Sequence, residues 1–199
     1  MMKFIGFYDY TVILTYMSMV SAVVGMVFAS KESFTAAIIC LLISGICDAF
    51  DGTVARTKKN RTDDEKAFGI QLDSLCDVVA FGVFPAFLCY RMGVDGVLGV
   101  ICVCLYSLCA VIRLAFFNVL EGKRQQSETG SNKYFRGLPV TSISIIFPLL
   151  YLFYRLFQPE VFAWILHGML VVVALLFILD IKVKKLDVSR LFRSKARTH

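Results

Sequence analysis

The chain has 199 residues, 58% of them hydrophobic and 18% charged, with a mean hydropathy of +0.72 and a net charge of +6. Soluble domains carry about 25% charged residues, so a soluble core and a disordered chain are both excluded. The composition points to an all-α polytopic membrane protein, one domain over residues 1–199. Its basic residues gather in two loops and the C-terminal tail, the pattern of membrane orientation and contact with anionic lipid, not of a nucleic-acid partner.

Residues 1–10 mix Phe and Ile with Lys3 and Asp9 and are expected to form a short interfacial helix. Residues 11–29 read as a retained first span rather than a cleaved signal. A second span covers 34–56, a polar loop 57–66, and a third span 67–90. A link with Gly93 and Gly96 leads to a fourth span over 97–119, which contains Arg113. A polar loop covers 120–138. A fifth span follows over 139–156, then Gln158-Pro159 marks a turn and a sixth span runs over 161–181. Each is near the ~20 residues that a bilayer requires.

With six spans and the N-terminus in the cytoplasm, the C-terminus is cytoplasmic too. The inner segments then hold 17 of the 21 Lys and Arg residues, including the basic tail at 182–199. The outer loops hold Lys31, Arg91 and Arg155, and Arg113 lies within a span. No internal repeat suggests an inverted-repeat transporter. The seven cysteines lie in apolar runs without a CxxC pair and read as free, buried thiols. His167 and His199 have no ligand-spaced partner.

The chemistry concentrates in residues 48–77. Asp48, Asp51, Asp73 and Asp77 lie at the ends of the second and third apolar segments. A carboxylate within a span costs roughly 2.5–3.5 kcal/mol and is a functional candidate by default. On helices, Asp48, Asp51 and Ala55 share one face, and Gly69, Asp73 and Asp77 share another. Antiparallel packing around the loop would bring the carboxylates together. An oxygen-only donor set suits a hard divalent ion, Mg²⁺, Mn²⁺ or Ca²⁺, rather than zinc.

Written as Asp-x2-Asp-Gly-x2-Ala-Arg, then Gly-x3-Asp-x3-Asp, this stretch resembles the signature of the CDP-alcohol phosphatidyltransferases. The 12 residues between Arg56 and Gly69 make a longer connection than that family usually has, and a polar loop is where added length costs least. Residues 72–83, 85–86, Arg113 to Asn118 and Tyr134 to Pro139 look like the phosphatidylserine synthase branch. That branch often has Arg where Phe116 stands here, so no anion-binding role falls on 116.

The resemblance implies a six-helix homodimer in the plasma membrane with its site open to the cytoplasmic leaflet. It implies CDP-diacylglycerol as donor, L-serine as acceptor and CMP as leaving group. It assigns Asp48, Asp51 and Asp73 to metal, and Asp77 to metal and to general-base catalysis. It assigns Gly52, Ala55, Arg56 and Gly69 to the nucleotide and its diphosphate. The zwitterionic acceptor needs a cation for its carboxylate, and Arg113, Lys133 and Arg136, with Asn118 as hydrogen-bond donor, are the candidates. A sibling enzyme using glycerol 3-phosphate or inositol phosphate is the nearest rival. A divalent-cation transporter is a more distant one, because ion passage would not need Gly52, Ala55 and Arg56.

Overall fold

The computed structural model describes the backbone of residues 6–55, 57–58, 60–126, 134–180 and 182–184, and all their side chains except those at 121, 123–126, 134–136, 155 and 182–184. Residues 6–9 are not helical, in contrast to the expected interfacial helix. Gly6 has φ +120°, and Asp9 acts as a cap. Its carboxylate accepts from the Thr11 backbone N–H at 2.7 Å and from the Thr11 hydroxyl. A 3₁₀ turn, Tyr10–Val12, then leads into α1, Ile13–Ser30.

Helix α1 packs along α2, Phe34–Ala55. Small residues make the close approach possible: Ala22, Ala29 and Ala37 are fully buried. Polar side chains lock the pair, as is common where lipid gives helices no hydrophobic drive to associate. Ser18 Oγ donates to Ser44 O at 3.2 Å, and Ser44 Oγ donates back to Ser18 O at 2.9 Å. At Gly25 there is no room for more: a Cβ would lie 2.3 Å from Cζ of the buried Phe84.

Helix α3, Asp63–Asp77, starts four residues before the apolar run that marks it in the sequence. Thr62 and Glu65 form a capping box, Glu65 N–H donating to Thr62 Oγ1 at 3.2 Å and Thr62 N–H to Glu65 Oε2 at 2.9 Å. The rod continues through a π-helical segment, Val78–Val83, into α4, Phe84–Arg91. Pro85 explains the widened turn: it has no N–H for the carbonyl of residue 81, and its ring crowds that carbonyl. Tyr106 Oη donates to Phe81 O at 2.7 Å and Ser107 Oγ to Gly82 O at 3.0 Å. Both donors lie on α5, Gly96–Gln126.

The expected fifth span is not a single helix. A 3₁₀ turn, Val140–Ser142, and α6, Ile143–Tyr151, give an apolar segment of Val140–Tyr151, followed by a turn and a second 3₁₀ piece, Tyr154–Leu156. Pro148 removes one helical donor inside α6. Tyr151 stacks on Tyr154 at 5.2 Å, and its hydroxyl lies 3.0 Å from Thr35 Oγ1 at the start of α2. Helix α7, Pro159–Ile178, completes the bundle.

Among the described residues, five helices are long and apolar enough to cross a membrane. This is an all-α, multi-pass membrane protein, apart from one short antiparallel ladder in which β1, Tyr134–Arg136, pairs with β2, Lys182–Lys184. Leu138 N–H donates to Leu176 O at 3.3 Å, so the turn after β1 meets a carbonyl left open at the end of α7. Gly137 sits there at φ +70°, where an added Cβ would lie 2.9 Å from Leu179 O.

Candidate active site

Helices α2 and α3 face each other across a cavity rather than packing backbone to backbone, while α1 touches both. Asp48 contacts Asp77 carboxyl to carboxyl, and Asp51 contacts Asp73 in the same way. As numbers rise along α2, their partners' numbers fall along α3, which is the antiparallel arrangement that the stripes predict. Asp48, Asp73 and Asp77 each bring an oxygen within 4.8 Å of the others. Asp51 stands beside this group instead of within it. It is buried and accepts from Thr15 Oγ1 of α1 at 3.2 Å.

This donor set fits a divalent cation. Like charges at such separations repel unless protons or a cation intervene. Asp73 Oδ1 is buried and has no hydrogen-bond partner, so it has a lone pair to give. All the donors are carboxylate oxygens, the preference of a hard ion.

The carboxylates open onto a cavity of about 570 Å³. Asp48, Gly52 and Ala55 line it from α2, and Ile70, Asp73, Ser74 and Asp77 from α3. Arg113, Leu114, Phe117 and Asn118 line it from α5, and Pro139, Val140 and Thr141 close it. Asn118 is oriented by Ser74, whose hydroxyl donates to Asn118 Oδ1 at 2.8 Å; that bond leaves the amide nitrogen as donor. Arg113 Nε donates to Leu138 O at 3.3 Å, and the side chain also lines a smaller cavity of about 200 Å³ with Phe116, Phe177 and Asp180.

Of the candidate residues, the structure gathers Asp48, Gly52, Ala55, Asp73, Asp77, Arg113 and Asn118 on one cavity. Gly69 does not line it; its open side is covered by Arg61. Arg56, Lys133 and the tail beyond 184 lie outside the described residues, as does the side chain of Arg136.

Arg61, Lys66 and Ser74 also line the cavity, and the sequence pattern does not single them out as site residues. In the sequence Arg61 and Lys66 are two of several cations in one basic loop, which reads as an orientation signal. Ser74 follows a motif aspartate directly, and only its contact with Asn118 marks it out.

The connector is itself built. Lys58 Nζ lies 2.8 Å from Asp9 Oδ2 and 3.1 Å from Glu65 Oε1. The Lys58 ammonium, helped by Thr11, holds the Asp9 carboxyl down at about 2. Asp9 and then Glu65 raise the Lys58 ammonium in turn.

A model of the CDP-alcohol phosphatidyltransferase family matches residues 10–180. The chain belongs to the CDP-alcohol phosphatidyltransferase family. Among its relatives is the CDP-diacylglycerol–serine O-phosphatidyltransferase of Methanocaldococcus jannaschii, 32% identical over 171 residues, which are 85% of this chain and 72% of that protein. The Saccharomyces cerevisiae protein of the same name is 38% identical over 113 residues, 55% of this chain and 40% of that one. The archaetidylserine synthase of Methanothermobacter thermautotrophicus is 36% identical over 133 residues, 66% of this chain and 53% of that one. The chain thus matches about half the length of the latter two.

Proposed function

We propose that this phosphatidyltransferase moves the phosphatidyl group of CDP-diacylglycerol to the hydroxyl of L-serine, giving phosphatidylserine and CMP. The observation that carries the reading is the carboxylate trio within 4.8 Å, with Asp73 Oδ1 unpartnered, on a cavity that also holds Asn118 and Arg113. Relatives named for serine as acceptor support the choice of alcohol.

Asp48, Asp51 and Asp73 would hold a divalent ion, Mg²⁺ or Mn²⁺, with Asp77 completing the set. When bound, such an ion neutralises the donor's diphosphate and stabilises the leaving oxygen. Asp77 takes the proton of the serine hydroxyl. The serine oxygen bonds to the phosphorus that bears diacylglycerol, the bond from that phosphorus to the CMP oxygen breaks, and CMP leaves. Gly52 and Ala55 present small surfaces to the nucleotide, and Arg56 supplies a cation for phosphate. Arg113, Lys133 and Arg136 are the cations for the serine carboxylate, and the Asn118 amide donates to it.

The positive charge of the loops supports a site open to the cytoplasmic side of the plasma membrane. That orientation takes residues 140–156 as a sixth crossing, shortened and broken. A homodimer follows from family resemblance.

The test is purified full chain with CDP-diacylglycerol, a divalent ion and a panel of acceptors. CMP release that requires serine and metal supports the reading. Release only with glycerol 3-phosphate or inositol phosphate replaces serine by a phosphorylated acceptor. No release with any acceptor, with metal flux in vesicles instead, rejects the transferase.

A further inference from the structure

The connector between α2 and α3 also contributes to the cavity. Arg61 leaves it and lays its guanidinium across α3 at Gly69. A Cβ on Gly69 would stand 2.6 Å from Arg61 Nη2 and 3.7 Å from Cζ. Nη2 donates to Glu65 O at 3.0 Å, and the capping box at Thr62 fixes the chain beside it. The Nε is buried with no hydrogen-bond partner.

Nearby carboxylates do not account for this nitrogen. Glu65 is engaged by Lys58 and the Thr62 N–H, Asp63 by Lys66, and among the described residues Arg61 takes part in no ion pair. A buried charged donor without an acceptor is costly. Arg61 nonetheless lines the same cavity as Asp48, Asp73 and Asp77. Gly69 lies one turn before Asp73 on the same face of α3, about 6 Å along the axis.

The geometry points to Arg61 as a further binding residue for the donor: its guanidinium takes the diphosphate of the CDP-lipid. A planar fork of N–H donors matches phosphate oxygens. The inference rests on the transferase reading above and deepens it.

The test is calorimetric titration of the detergent-purified full chain with CDP and with inorganic pyrophosphate, in the presence of Mn²⁺. Arg61→Ala should weaken CDP binding by about 10–100-fold, the range of a charge-assisted hydrogen bond. Pyrophosphate should weaken in parallel, and Arg61→Lys should recover part of the loss. Arg61→Gln, which keeps a donor for Glu65 O, separates lost charge from lost folding and should also bind weakly.

Equal CDP affinity in wild type and Arg61→Gln overturns the assignment while leaving the transferase intact. Weakened CDP with unchanged pyrophosphate also overturns it, since Arg61 would then read the base. A wild-type chain that binds no CDP rejects the transferase reading itself, and this inference with it.

Discussion

Tyr106 on α5 donates its hydroxyl to the carbonyl of Phe81 at 2.7 Å, the carbonyl whose α-helical donor position is taken by Pro85. Tyr106 is fully buried, so water does not replace the bond. Tyr106→Phe should cost about 1–3 kcal/mol of stability, the penalty for an unsatisfied buried acceptor. Thermal unfolding in detergent measures it. In a Pro85→Ala background the loss should shrink, because residue 85 regains a donor; an equal loss in both backgrounds would detach the π-helical segment from the proline.

Asp77→Asn should reduce turnover by about 10²–10⁴-fold, the usual contribution of a general base. Asp48 and Asp73 remain in place to hold the cation, so CDP affinity should persist. Turnover near wild type would remove Asp77 from proton transfer.

Ser74 is a positioning residue for Asn118. Ser74→Ala removes a hydroxyl that fixes the amide at 2.8 Å. The apparent KM for serine should rise about fivefold, on the scale of one lost hydrogen bond near 1 kcal/mol. The KM for the lipid donor should not move, and Ser74→Thr should restore serine binding. An equal rise in both constants would indicate general loosening of α3.

The Asp9–Lys58 contact sets a pH window for the order of the N-terminal segment. Asp9 is depressed to about 2 by Lys58 first and then Thr11. Its contribution is therefore complete above the ordinary carboxyl value of ~3.9 and is lost as pH falls through about 2. Lys58 is raised by Asp9 and Glu65, so its contribution is complete below the ordinary lysine value of ~10.4 and is lost only at higher pH. NMR titration of Asp9 should give an acid midpoint near 2, moving up towards ~3.9 in Lys58→Met. An unmoved midpoint would assign the depression to Thr11 alone.

The sequence makes the membrane class and the facing carboxylates legible because both depend on local rules. Apolar length marks the helices, and 3.6-residue spacing puts Asp48 with Asp51 and Asp73 with Asp77. The start of α3 is hidden because Asp63-Asp64-Glu65-Lys66 is polar; a capping box marks it, not hydropathy. The break in α6 is hidden for the opposite reason: residues 152–156 stay largely apolar while the backbone turns. Arg61 and Ser74 gain meaning only through contacts with Gly69 and Asn118, eight and 44 positions away. Thr15 is similar, meeting Asp51 across 36 positions.

The paired carboxylates also determine where the chain is free to change length. Asp48 meets Asp77 and Asp51 meets Asp73, so the helices mesh like two toothed racks running in opposite directions. One residue inserted between Asp48 and Asp51, or between Asp73 and Asp77, would turn the next tooth by about 100° and take it off the shared face. The same insertion at 57–60 shifts no tooth, because Thr62 restarts the helix wherever the connector delivers it. Between the two carboxylate helices, changes of length thus fall on the few positions ahead of Arg61.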